Sequence, residues 1–455
     1  MADSRILAGM NSTVFFLLLF VLAAGSLWLG QRAGKKSKTQ EEFFLMGRSL
    51  GLFALVMTLL ATQIGGGALL GAAEEAYTKG WSVLFYPLGM VVGLIVLGLG
   101  YGARMRKLQI STVPEIFEKR YRSVSLRKFA SLLSIVSLFC ILVGQAIASR
   151  KFFLSLGFDS PLLFISFWMV LVLYTVMGGL RAVVSTDILQ VAFILLALGM
   201  AFGASLFGTP SVETSPQLLT ESAPWFTWLF MPLLFMLIEQ DMGQRCFAAK
   251  NPRIVSIAAI CAAAILLLVS LAPIYFGALA GKHGIPIPEG GSVLITAVQA
   301  FTNPLFSTFL ICAILMAILS TADSLLCSVS SHIACDFPMK NPPRFLSQGI
   351  TLFVGLATFA LSFLFTSVVG MLMFSYELAV CVLFVPVTLG VYAKAPQKRS
   401  ALLAMGAGLF AFVAFKFYTP PLPKELLSLT LAAGVFGINE WASRRLPAYE
   451  LPPES

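Results

Sequence analysis

Ala61-Thr62-Gln63-Ile64-Gly65-Gly66-Gly67-Ala68 puts three consecutive glycines in the middle of an apolar, membrane-length stretch, residues 51–77. Three glycines cost a helix roughly 3 kcal/mol against alanine. Unwound backbone at membrane depth is tolerated only where it lines a protein cavity. Close helix packing asks for one or two glycines, so three in a row predict a break. A second stretch, residues 224–247, carries Pro232 and then Glu239-Gln240-Asp241, too polar for a plain lipid-facing helix. Two interrupted spans five apart predict an inverted repeat, spans 2–6 against spans 7–11, unwound near residues 64–67 and 235–240.

Composition agrees. The chain has 455 residues, of which 58% are hydrophobic and 11% charged, and a mean hydropathy of +0.89, so a water-soluble globule is excluded. At about 20 apolar residues per span, about thirteen transmembrane helices are expected. They lie near residues 9–30, 51–77, 80–102, 125–150, 161–177, 182–207, 224–247, 252–280, 303–333, 345–367, 368–394, 398–418 and 425–443. No small-residue cleavage site follows the first, which reads as a retained helix. With the N-terminus outside and the C-terminus inside, 24 of the 31 Lys and Arg fall in cytoplasmic loops and the tail. The formal charge of +10 then reports topology and anionic lipid contact, and nucleic acid is not implied. The seven cysteines lie in or at the ends of spans without a C-x-x-C pair and read as small buried residues. No nucleophile elbow, P-loop or H-E-x-x-H motif is present.

Within the apolar stretch Phe301 to Ala334, residues Ala317, Ser320, Thr321 and Ser324 recur at helical spacing on one face, extended by Ser328 and Ser331. Such a hydroxyl row can allow close helix approach or supply oxygens to a desolvated cation. Asp323 beside it favours the second use, because an intramembrane carboxylate usually marks an ion or proton path.

Four motifs in this order resemble the sodium:solute symporters, an all-α integral membrane family with the LeuT-type fold. They are Gly47-Arg48-Ser49-Leu50-Gly51, Gly178-Gly179-Leu180-Arg181-Ala182-Val183-Val184-Ser185-Thr186-Asp187, Gln244-Arg245 with Ala248-Ala249-Lys250, and the Ser320–Ser324 stripe continued by Ser330-Ser331 and Asp336. The likeness covers roughly residues 40–395. It implies a 5+5 inverted repeat with two broken helices. Residues 1–50 would form an extra helix and cytoplasmic loop, 51–210 the first repeat, 211–395 the second, and 396–455 two further helices and a short tail. It implies a sodium site (Na+) made by backbone at Ala61 and Ile64 together with Ala317, Ser320 and Thr321. A neutral five-oxygen cage of this kind suits a hard monovalent ion. Asp187, Ser320, Asp323 and Ser324 match a second cation site of some members. Asp323 stands there in place of a hydroxyl, which leaves open a second sodium, a proton, or pairing with Arg181 or Arg245.

The solute is less legible. By ungapped counting, positions that are polar in sugar carriers fall here on Ala68, Pro87 and Pro232, and aromatic positions of proline carriers on Gly67 and Cys140. Candidate solute residues are Gln63, Gly67, Gln145, Phe235, Glu239, Gln240 and Tyr376, with Glu74, Glu75 and Glu377 also polar nearby. Glu74 and Glu75 read equally as a solvated helix end near Lys79, and Glu239 as a gate pair with Arg245. The expectation is sodium-coupled symport of an amine or zwitterion across a cell membrane, a bacterial inner membrane, with no catalytic residue. A carboxylate, vitamin or sugar cargo is the alternative, and a transporter-like sensor is a different class. The partners expected are the solute, sodium and the bilayer; the oligomeric state stays open, a monomer included.

Overall fold

The computed structural model describes residues 11–158, 160–205, 224–288, 291–337, 344–365, 368–418 and 423–445. The boundary expected at residue 210 and the tail after residue 445 lie outside these ranges. In chain order, α1 (Ser12–Gly34) and α2 (Gln40–Leu45) precede a helix in two parts, α3 (Leu52–Gln63) and α4 (Ala72–Lys79), the second entered through a wide π turn at Gly67–Gly71. Next come α5 (Phe85–Val96), α6 (Gly102–Lys107), α7 (Glu115–Tyr121), α8 (Val124–Ser155), α9 (Pro161–Gly178) and α10 (Leu180–Ser205). A second interrupted helix follows as α11 (Trp225–Met236) and α12 (Gln240–Ala248). The remainder is α13 (Pro252–Lys282), α14 (Val293–Phe301), α15 (Pro304–Asp336), α16 (Arg344–Leu361), α17 (Val368–Tyr392), α18 (Lys398–Phe417) and α19 (Lys424–Arg445).

Helix starts follow from local chemistry. Asn11, Ser123, Asn251 and Asn303 each accept the N–H three residues on, as N-caps do, and open α1, α8, α13 and α15. Thr39 and Glu42 form a reciprocal capping box at α2. Nine helical runs among the described residues are long and apolar enough to cross a membrane. Thirteen stretches are expected from sequence, and the breaks account for much of the difference. α3 and α11 have 12 residues each, about 18 Å at 1.5 Å per residue, so each is only part of a span. The π turn, α4, α5 and α6 run together as one element, Gly67–Lys107.

α15 lies at the centre, buried along most of its length between α8 and α10. α1, by contrast, exposes Leu17, Phe20, Val21 and Trp28, as a lipid-facing helix does. The Gly178-Gly179 pair ends α9 and turns the chain into α10. Gly179 has φ +56°, and a Cβ there would lie 2.3 Å from the Phe43 carbonyl oxygen, so only glycine lets α2 cross this turn. The two segments flanking the interrupted helices meet in a parallel bridge: Leu50 N donates to Ala248 O and Lys250 N to Leu50 O, at 3.0 and 2.9 Å.

Candidate functional site

The first break is shorter than the glycine run suggests. Only Ile64 and Gly65 leave the helix; Ile64 has φ −86° and ψ 71°, while Gly66 is already helical. The glycines serve approach as much as unwinding. A Cβ on Gly65 would lie 2.5 Å from Thr321 Oγ1, and one on Gly66 3.2 Å from Gln145 Oε1. With the backbone this close, Ser320 Oγ donates to Ala61 O and Ala317 O, each at 3.1 Å. Thr321 Oγ1 reaches Ala61 O at 3.4 Å and Thr62 O at 3.3 Å. Ala61, Ile64, Ala317, Ser320 and Thr321 are all buried. Four of the five expected sodium ligands therefore touch one another, and Ile64 occupies the bend beside them. A hydroxyl that donates to a carbonyl can rotate and offer its lone pair to a cation, so this uncharged oxygen cluster fits a hard monovalent ion.

One turn along α15 the chemistry becomes ionic. Asp187 Oδ2 accepts from Thr58 Oγ1 at 2.5 Å and forms an ion pair with Arg245 at 3.6 Å. Arg245 is fully buried; it also donates to Thr58 Oγ1 at 2.9 Å, to Asp241 O at 3.0 Å and to Ser324 Oγ at 2.5 Å. Asp323 Oδ2 accepts from Tyr174 at 2.5 Å and from Thr186 at 3.4 Å, and its Oδ1 lies 3.4 Å from Ser324 Oγ. Asp187 Oδ1 has no hydrogen-bond partner. Arg245 thus joins Asp187 to Ser324, which in turn meets Asp323, whereas Arg181 turns to Met46 O. The ion pair between Glu239 and Arg245 considered from sequence does not form, because Arg245 is taken by Asp187.

Glu239 instead lines a small cavity of ≈ 40 Å³ with Gln63, Gly67, Gln145 and Tyr376, five of the seven expected solute residues. Gln63 Nε2 donates to Glu239 Oε1 at 3.1 Å, and Gly66 N to Gln145 Oε1 at 3.3 Å. Phe235 stays outside the lining and packs on Tyr376, ring centroids 4.6 Å apart. Gln240 points elsewhere, to Val113 N, Ser111 O and Ser331 Oγ at 2.8, 3.1 and 3.1 Å. Its neighbours explain this. Glu239 is the extended N-cap of α12, so Glu239 and Asp241 face one way and Gln240 the other. Sequence reading missed Asp241, Tyr86, Thr58 and Tyr174. Asp241 was visible in the polar triplet, and Thr58 lies one turn before Ala61 on the same face; nothing in the sequence marks Tyr86 or Tyr174.

A larger cavity of ≈ 730 Å³ adjoins the small one and shares Gly67, Tyr86 and Leu372 with it. It opens where α4 and α8 end, among Glu74, Glu75, Lys79, Arg150, Lys151 and Trp228. Glu75 pairs with Lys79 at 2.6 Å, the solvated helix end weighed above. Glu377 lies off this path, paired with Lys416 and Lys424 at 3.0 and 2.7 Å. The opposite end is closed by polar contacts. Arg48 binds Glu41, Ile110 O and Phe247 O, and Arg106 binds Ala249 O. Asp336 gathers Thr112, Arg127, Ser131 and His332 at 2.5–2.8 Å.

The model of the sodium:solute symporter family matches residues 43–408. The high affinity choline transporter 1 of Homo sapiens is 25% identical over 440 residues, covering 87% of this chain and 74% of that protein. An osmoregulated proline transporter of Bacillus subtilis is 27% identical over 334 residues, covering 68% of each. Among solved structures, a Na+-coupled sialic acid symporter in a substrate-bound outward-open state superposes with TM-score 0.78 at 19% identity, covering 96% of this chain and 98% of that one. The chain belongs to the sodium:solute symporter family, a family of multi-pass membrane transporters and not of enzymes.

Proposed function

We propose that this protein carries a small amine or zwitterion into the cell together with sodium, by alternating access. The observation that carries the reading is the pair of α15 hydroxyls, Ser320 and Thr321, set on the Ala61 and Ala317 carbonyls at the first helix break. In this reading thirteen helices cross a bacterial inner membrane, with the N-terminus outside. Spans 2–6 and 7–11 form the inverted repeats, and the polar-sealed end faces the cytoplasm. The ≈ 730 Å³ cavity is then the outward vestibule and the ≈ 40 Å³ cavity the solute site. Sodium in the carbonyl–hydroxyl cage ties the broken helix to α15, which couples ion binding to closure.

Asp187, Asp323 and Ser324 form the candidate second site. Two buried carboxylates lie there with one guanidinium, which pairs with Asp187, and an uncompensated charge is costly in low dielectric. Either a proton or a second sodium balances the remaining carboxylate. Asp323→Ser distinguishes them: fewer sodium ions moved per solute identifies a second sodium. An unchanged count with altered pH dependence identifies a proton.

The experiment for the main reading is sodium titration of solute uptake in proteoliposomes. Replacing both Ser320 and Thr321 with Ala should weaken apparent sodium affinity at least tenfold, about 1.4 kcal/mol. A folded double variant with unchanged sodium dependence overturns it. Uptake of sugars, vitamins or carboxylates in preference to amines would keep the coupling and change the cargo; sodium binding without uptake would favour a sensor.

A further inference from the structure

The electrostatics of the small cavity select among cargoes. Around the two breaks, Asp187, Glu239, Asp241 and Asp323 are buried with Arg245 as the guanidinium among them. Arg245 is committed to Asp187, Ser324, Thr58 and the Asp241 carbonyl. None of the described residues lining the small cavity is Lys, Arg or His. Glu239 and Asp241, 8% and 3% exposed, both line it. Two buried carboxyl groups on one small cavity call for a proton or a cation beside them.

The rest of the lining agrees independently of the acids. Tyr86 and Tyr376 both line the cavity, and electron-rich rings attract ammonium groups. Met90 and Ala68 supply apolar surface for N-alkyl groups. The Gln63 amide and the Gly66 N–H, donors that could receive a solute carboxylate, are engaged with Glu239 and Gln145. A carboxylate placed here would face two carboxyl groups without a counter-charge, a costly arrangement.

We infer that the solute is a monocationic ammonium compound without a carboxylate, its head group held between Glu239, Asp241 and the rings of Tyr86 and Tyr376. This rests on the symporter reading and narrows it, since that reading admits zwitterions. The ≈ 40 Å³ space holds little more than a head group, so the remainder of the solute extends past Tyr86 and Leu372 into the vestibule. Sodium and ammonium then occupy adjacent but separate sites, one built from neutral oxygens and the other from carboxylates.

Three probes of nearly equal shape test this on the purified full-length protein: choline, its carboxylate analogue glycine betaine, and the uncharged isostere 3,3-dimethylbutan-1-ol. Binding is read by thermal shift with and without sodium, and uptake in proteoliposomes. Choline should bind at least tenfold more tightly than either analogue. Glu239→Gln should erase most of that preference while sodium alone still stabilises the variant, which shows that the variant is folded. Asp241→Asn should act in the same direction. Sodium-dependent binding of glycine betaine or the neutral alcohol equal to or tighter than choline overturns the ammonium assignment and leaves the symporter reading standing. A choline preference that survives both substitutions overturns the site. Stabilisation by choline that ignores sodium, with no uptake, overturns the symporter reading instead.

Discussion

The two helix breaks are built differently, and the difference divides the chemistry between them. At the first, Gly65 brings the backbone within reach of Ser320 and Thr321, and the pocket so formed is made of neutral oxygens. At the second, α11 contains Pro232, whose missing N–H weakens the helix, and the chain leaves helical geometry at Glu239. That break delivers two carboxyl groups, Glu239 and Asp241, to the cavity wall. Neutral cages suit a small ion that sheds its water; carboxylates suit a larger cation that lies against aromatic rings. Arg245, one helical turn after Asp241, reaches from the second break to Thr58 and Ser324, and so ties the two together.

That tie gives the largest expected effect. Arg245→Met leaves Asp187 buried without its ion-pair partner, and removing one member of a buried pair costs about 3–5 kcal/mol. Unfolding in detergent should show a marked loss of stability. Adding Asp187→Asn should recover part of it, since the stranded charge is then gone. A single variant as stable as the parent would mean that the breaks are not joined in this way.

A smaller effect separates the breaks by sterics. Gly65→Ala places a Cβ 2.5 Å from Thr321 Oγ1, and overpacking of this kind costs about 1–3 kcal/mol. It should also weaken apparent sodium affinity, because it pushes α15 off the carbonyls. Ile238→Ala, at the second break, should leave sodium affinity within about twofold, because the first break is untouched. Sodium titrations of both variants check the contrast, and equal shifts would erase it.

The smallest effect concerns Tyr174. Its hydroxyl is 2.5 Å from Asp323, and a typical hydrogen bond contributes about 0.5–1.5 kcal/mol. Tyr174→Phe should lower stability within that range and leave choline preference unchanged. A changed preference would place Asp323 in the solute site.

The breaks also differ in how plainly they were written in the chain. The glycine run and the hydroxyl spacing on α15 marked the first break, because period and composition are local properties. The run overstated the unwinding: Gly66 and Gly67 pack closely against Gln145 and Leu372, which no local pattern reveals. At the second break the polar triplet was visible, but which members face the cavity depends on the extended conformation of Glu239, so Gln240 was assigned to the cavity and Asp241 was not. Tyr86 and Tyr174 come from helices far away in sequence, and long-range packing alone brings them in. The seven cysteines show the same limit: the helical position of Cys261 was legible, but its exposure was not.

One measurement bears most directly on the division between a neutral ion site and an acidic solute site. Sodium and solute titrations of uptake are taken side by side for the Ser320→Ala/Thr321→Ala double variant and for Glu239→Gln. The double variant should lose at least tenfold in apparent sodium affinity, about 1.4 kcal/mol, and regain uptake at high sodium. Glu239→Gln should lose solute affinity by a similar factor, with its sodium affinity read by thermal shift unchanged. If Glu239→Gln shifts the sodium affinity as much as the double variant does, or if the double variant keeps its sodium affinity, the division is contradicted.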